Sequence, residues 1–258
     1  PVTFTGSVRD DIVFLDPVIG VGELAISDHR SSQPTLNELL RIASDAHVAG
    51  MIAGKAGILH LRLGDGERGM DLIRRALDES ELPARVFNPT HVNRRKGLFD
   101  EALELARRGC TIDITAFPVA EDEDAWAADV ALAKYIDAGL PADKVTVSSD
   151  GGGCLPVFND QGEMLQMDIG RPSSLIETLQ QLLSNGRSLQ SVLPAFTSNV
   201  ADLLRFADRG RIRNAAVADL IVLDADDRIR NVMVGGSWHV SDGEQKIFGQ
   251  FESRKGEL

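Results

Sequence analysis

The chain alternates short β-branched runs with amphipathic stretches of helical period, which is the pattern of parallel β–α units. Residues 18–26 predict a strand, and Pro34-Thr35 opens a helix with Thr35 and Glu38 spaced as a capping box. Leu36, Leu39, Leu40, Ala43, Ala46 and His47 follow at helical spacing, with Gly50 as the stop. The pattern continues as strand 57–63, helix 67–80, strand 85–88, helix 94–109, strand 111–115, helix 123–138 and strand 144–149. A long loop and two helices, 172–185 and 188–206, come next. From residue 210 the chain predicts antiparallel strands over 218–223, 229–234, 237–240 and 245–251, turned at Gly235-Gly236 and Asp242-Gly243.

Five β–α units and a β tail fit either an open doubly wound sheet or a (β/α)₈ barrel without its first units. The change of character divides the chain into residues 1–209 and 210–258. Its 258 residues are ample for a core, and the net charge of −12 argues against a nucleic-acid partner, which needs clustered Lys and Arg. Two cysteines, Cys110 and Cys154, supply neither a disulfide framework nor a Cys-rich zinc site, so a reducing, cytoplasmic setting is expected. No apolar run approaches the roughly 20 residues of a membrane span, and no membrane partner is expected.

In both α/β alternatives, chemistry belongs at the C-terminal ends of the strands. The polar residues there are Glu23 with Asp28-His29-Arg30, Arg62 with Asp65, His91 with Asn93-Arg94, Asp113, and Asp150 before Gly151-Gly152-Gly153-Cys154. A Glu inside a strand as apolar as 18–26 is costly unless paired. Carboxylates with imidazole suit zinc or a similar divalent ion, whereas His91 could equally serve as a loop hydrogen-bonder and Asp150 as a turn residue. His29, His47 and His239 read as structural, and Glu121-Asp122-Glu123-Asp124 as a solvated helix start. From the residues alone, the reading ends at a metal-dependent hydrolase on an α/β scaffold.

At these same residues the sequence resembles a family. Gly20-Val21-Gly22-Glu23-Leu24-Ala25-Ile26-Ser27-Asp28-His29-Arg30-Ser31, Leu61-Arg62-Leu63-Gly64-Asp65-Gly66, Pro89-Thr90-His91-Val92-Asn93-Arg94 and Val147-Ser148-Ser149-Asp150-Gly151 look like isoaspartyl (β-aspartyl) dipeptidases of the amidohydrolase superfamily. The tail word Ala218-Asp219-Leu220-Ile221-Val222-Leu223-Asp224 extends the resemblance. It implies an amidohydrolase-type TIM barrel with a small β-sandwich, two zinc ions per full-length subunit, a dipeptide substrate and a homo-oligomer. It implies zinc-activated hydrolysis of the isopeptide bond, with Glu23, His91 and Asp150 as metal ligands. Asp150 is also the implied general base, and Arg30, Arg94 and Cys154 are implied to contact substrate.

The sequence departs from the family at three places. Arg62 stands where the family has a ligand His, and a guanidinium cannot ligate zinc. Cys154 replaces a Ser. The His-x-His pair of the first barrel strand and a catalytic Tyr are absent, and the chain starts at Pro1 without an initiator Met. Together these predict an N-terminal truncation by about three barrel units and half of the sandwich, with fewer zinc ions or none and negligible catalysis in this chain. The alternatives are another amidohydrolase chemistry, such as a D-aminoacylase or cyclic-imide hydrolase, or a catalytically impaired homologue, which Arg62 favours.

Overall fold

A computed structural model describes residues 2–158, 161 and 163–249 of the chain. The chain divides into two compact units, Pro1–Arg205 and Phe206–Leu258.

In the first unit, strands β1 (Val21–Ile26), β2 (Leu59–Leu63) and β3 (Phe87–Thr90) form a parallel sheet in that order, and β4 (Ile112–Thr115) pairs in parallel with β5 (Val145–Ser148). Side chains tie β3 to β4: Asn88 Nδ2 donates to the Thr111 carbonyl at 2.7 Å and Thr90 Oγ1 to Asp113 Oδ2 at 2.7 Å. Helices α2 (Leu36–Ala53), α3 (Asp71–Glu79), α4 (Lys96–Arg107) and α5 (Ala128–Asp137) connect these strands.

The two-residue period of a strand sorts its side chains onto two faces. In Leu59-His60-Leu61-Arg62-Leu63 the three leucines are fully buried in the main apolar core, and His60 and Arg62 point the other way. Ile112 and Ile114 join the same core, and the alternate residues Asp113 and Thr115 lie on the opposite face. Val145 and Val147 likewise alternate with Thr146 and Ser148. One face of the strands therefore packs on helices, while the other carries a row of polar groups. This division is what delivers functional side chains to one side.

Several local expectations hold. Thr35 and Glu38 form the predicted capping box, each side chain meeting the other's backbone N–H. The four strands of the second unit, β8 (Leu220–Leu223), β9 (Ile229–Val234), β10 (Ser237–Ser241) and β11 (Glu244–Gln245), run antiparallel in the order β11-β10-β9-β8. Their two turns have positive φ at both central residues, Gly235-Gly236 and Asp242-Gly243, as two-residue hairpins require.

Other expectations are corrected. Helix α2 runs through Gly50 and ends at Gly54, whose φ of 70° is the left-handed stop. Gly50 is there for close approach, because a Cβ on it would strike the Gly57 backbone. The sequence predicts a loop after Asp150, but Cys154–Phe158 (β6) and Met164–Ile169 (β7) form an antiparallel hairpin. Every described residue of β7 is exposed, so no in–out alternation marks it. Its strands are defined by backbone pairing instead.

The helix predicted over 188–206 is three pieces, α7 (Leu189–Val192), a 3₁₀ turn at Leu193–Phe196 and α8 (Ser198–Leu203), interrupted at Pro194. Helix α6 (Ser174–Ser184) precedes them. Glu121 to Asp124 lie in a turn ahead of α5 and not in its first turn. An unpredicted helix α1 (Val8–Phe14) is capped by Ser7 and pinned by Asp11, which accepts from the backbone of Phe4 and Thr5. The predicted strand 245–251 survives as Glu244–Gln245, and its residues 250 and 251 lie outside the described residues.

Candidate active site

Glu23 lies in β1 and is paired, as an acid in so apolar a strand must be. Its Oε1 lies 3.2 Å from His91 Nε2 and its Oε2 lies 3.6 Å from an Arg62 terminal nitrogen. Burial pushes the Glu23 carboxyl up. The hydrogen bond and charge from His91 and the charges of Arg62 and His60 outweigh it, so the group sits below its ordinary value.

His91 directly follows β3 and is only 3% exposed. Its φ of +60° places it in the left-handed region, a strained choice for a non-glycine residue and typical of side chains held for a task. Its Nδ1 lies 2.8 Å from Thr115 Oγ1. Since a carboxylate only accepts, Nε2–H donates to Glu23, and in the neutral ring Nδ1 accepts from the Thr115 hydroxyl.

Arg62 projects from β2 beside these groups, in register with Ala25 on β1 and Thr90 on β3. No hydrogen bond ends on its guanidinium among the described residues, and its Nε is buried with no partner. Two residues back on the same face, His60 turns away to Asn88, its Nδ1 2.6 Å from Oδ1. His60 therefore does not stand in for the missing ligand.

The loop after β1 fixes Arg30. Asp28, 4% exposed, accepts two hydrogen bonds from the Arg30 side chain at 3.0 and 2.8 Å and a third from its backbone N–H at 2.8 Å. The Arg30 side chain is first among the influences that bring the Asp28 carboxyl down to about 2, against its burial. Gly64 is required beside it, since any Cβ would collide with the Asp28 carboxyl.

Arg94 follows β3 and is largely buried, its nearest acidic partner being Asp65 at 4.0 Å. No hydrogen bond ends on its guanidinium among the described residues. Burial is the main influence lowering its pKa, and the charges of Arg62 and Arg30 add to it. The structure thus brings Arg30, Arg62 and Arg94 into one electrostatic neighbourhood with Glu23 and His91.

Asp150 is placed differently. It follows β5 with a φ of +48°, in a turn closed by Gly153 N–H to its carbonyl at 2.8 Å. Gly153 and Gly170 lack the Cβ that would strike its carboxyl and its carbonyl. No hydrogen bond or ion pair joins Asp150 to Glu23 or His91 among the described residues. Cys154 opens β6 as an exposed free thiol, while Cys110 is a buried one whose pKa is pushed up to about 12 by burial.

Sequence reading undervalued Asp28 and Thr115, the residues that orient Arg30 and His91. Asp113 also proves to be structural: it is 4% exposed and accepts from the hydroxyls of Thr90, Thr146 and Ser148. The two-residue spacing of Asp28 and Arg30 was the available signal for the first of these. Thr115 becomes recognisable only when β3 and β4 lie side by side.

These donors do not fit a metal centre. Both Glu23 oxygens face partners, one of them a cation, and both His91 nitrogens are engaged. Among the described residues, no three His, Cys, Asp or Glu side chains group to hold an ion. At an effective dielectric of about 20, a divalent ion about 5 Å from a guanidinium is opposed by roughly 7 kcal/mol.

Comparison with solved structures agrees with the motifs. The β-aspartyl dipeptidase of Fervidobacterium islandicum AW-1, crystallised with the β-Asp-Leu dipeptide, is 42% identical, with a TM-score of 0.91 over 98% of this chain. A second structure of that enzyme has the same identity and coverage with a TM-score of 0.85. In both cases the chain spans 64% of the matched protein's length. The N-acetylglucosamine-6-phosphate deacetylase of Pasteurella multocida, 13% identical with a TM-score of 0.54 over 88% of this chain and 57% of its own, shares the fold alone. No protein-family model matches. Also, no helix among the described residues is long and apolar enough to cross a membrane. By identity and by fold, this chain is similar to the β-aspartyl dipeptidases over nearly its whole length.

Proposed function

We propose that this chain carries the substrate-recognition side of an enzyme that hydrolyses the isopeptide bond of β-aspartyl dipeptides. The observation that carries this reading is the pair Arg30 and Arg94, which follow β1 and β3 on either side of β2 and feel each other's charge. Arg30 is held in a fixed fork by Asp28, and Arg94 is largely buried with no hydrogen bond from its guanidinium among the described residues. A β-aspartyl dipeptide has two carboxylates, and planar guanidinium forks bind carboxylates bidentately. Neutral or singly charged amides have no need of two such groups. The same reading takes the five parallel strands as part of a (β/α)₈ barrel and the Phe206–Leu258 unit as part of a β-sandwich. It also assumes that the protein works in the cytoplasm as a homo-oligomer.

In the reaction, water attacks the side-chain carbonyl of the β-aspartyl residue, the C–N bond breaks, and the amine leaves with a proton. Asp150 is assigned the proton transfers, taking one from the attacking water and returning it to the leaving amine. Its carboxylate, without a hydrogen bond among the described residues and set on a constrained turn, supports that role, and Cys154 is assigned a substrate contact. Zinc-activated water forms no step of this account, because the donors present do not fit the metal.

The reading is tested by titrating the chain with β-Asp-Leu, an N-acetyl amino acid and a cyclic imide. Saturable binding of β-Asp-Leu at least tenfold tighter than the other two is expected. Equal or tighter binding of the N-acetyl amino acid or the imide overturns it in favour of the other amidohydrolase chemistries.

A further inference from the structure

Arg62 is unaccounted for by this recognition scheme. It sits on the polar face of β2, its Nε is buried without a partner among the described residues, and the one ion pair it makes among them is with Glu23 at 3.6 Å, beyond hydrogen-bond range. A buried N–H left without an acceptor is costly, and native structures almost always supply one, from protein, water or ligand. Arg94 nearby feels the Arg62 charge and likewise donates no hydrogen bond from its guanidinium among the described residues. Two guanidiniums with unused donors repel each other unless an anion lies between or beside them.

We propose that Arg62 is a carboxylate-binding residue, and that together with Arg94 it receives an anionic group of the substrate where a divalent cation would otherwise have to sit. The site exchanges metal-binding capacity for anion-binding capacity. Glu23, engaged by His91 and Arg62, is the counter-charge that keeps Arg62 on this face. The inference rests on the β-aspartyl reading only for the choice of ligand, since any small dicarboxylate presents the same chemistry.

The test uses succinate as the probe, titrated calorimetrically into the 258-residue chain, into Arg62→Met and into Arg62→Lys, with circular dichroism confirming the fold of each. Arg62→Met is expected to weaken succinate binding at least tenfold, with Arg62→Lys in between, because lysine keeps the charge but loses the fork. Wild-type affinity in a folded Arg62→Met overturns the proposal. A second measurement needs no variant: wild-type protein equilibrated with zinc and dialysed is expected to retain under a tenth of an equivalent. Retention of a full equivalent that Glu23→Gln abolishes also overturns it. Weak β-Asp-Leu binding alongside Arg62-dependent succinate binding would contradict the dipeptide reading and leave the anion site standing.

Discussion

Arg62 and Glu23 face each other across β2 and β1 at 3.6 Å, a cation set against the carboxylate of the site. The pair is partly open to solvent, its side chains 26% and 33% exposed, so its contribution to stability is small. Its importance is chemical, because it determines which charge the site accepts.

Replacing that cation restores a ligand. Arg62→His places a third nitrogen or carboxylate donor beside Glu23 and His91 and removes the opposing charge. Zinc retained after dialysis, measured by elemental analysis, is expected to rise clearly above the wild-type level. A variant that is folded and still holds no more zinc than wild type contradicts this view of the pair.

Asp28 ties stability to acid pH. Its folded-state value of about 2 lies below the ordinary 3.8, chiefly because the Arg30 side chain hydrogen-bonds to it. Ionised Asp28 therefore stabilises the fold above about pH 4, and this contribution is lost as pH falls through about 2. Thermal melting of wild type is expected to drop more steeply between pH 4 and 2 than that of Asp28→Asn. Parallel curves would show that Asp28 plays no such part.

Asn93 joins three backbone groups. It is fully buried, donates to the Thr115 and Trp126 carbonyls at 3.0 and 2.8 Å, and accepts from the Thr115 N–H at 2.9 Å. Asn93→Ala removes all three hydrogen bonds, although the Thr115 carbonyl still accepts from the Phe117 N–H, and is expected to cost about 2 kcal/mol. Urea denaturation checks the figure, and a loss under about 0.5 kcal/mol would contradict it. Because Thr115 also meets His91, the variant is expected to loosen the imidazole.

The parts of this fold legible in the sequence were those where burial imposes a period. Leu59, Leu61 and Leu63 alternate with His60 and Arg62 because one face meets helices and the other does not. The turn pairs Gly235-Gly236 and Asp242-Gly243 were legible because their backbone needs positive φ. The β6–β7 hairpin was not, since an exposed strand such as Met164–Ile169 has no inner face to mark. Gly50 was misread for a related reason: a glycine that ends a helix and one that admits a neighbouring backbone look alike until Gly57 is in place. At the site, Glu23, His91, Arg30 and Arg94 could be named from their motifs. Their supports Asp28 and Thr115 depended on contacts between loops and strands that spacing alone does not reveal.

The central claim is that two carboxylates are recognised by arginines on one polar face. Calorimetric titration of the chain with β-Asp-Leu and with its analogue amidated at both carboxylates tests this most directly. The account predicts that the dicarboxylate binds at least a hundredfold tighter, a difference of about 2.7 kcal/mol, and that Arg94→Ala removes most of the preference. Affinities within threefold of each other, in a folded protein, would contradict it.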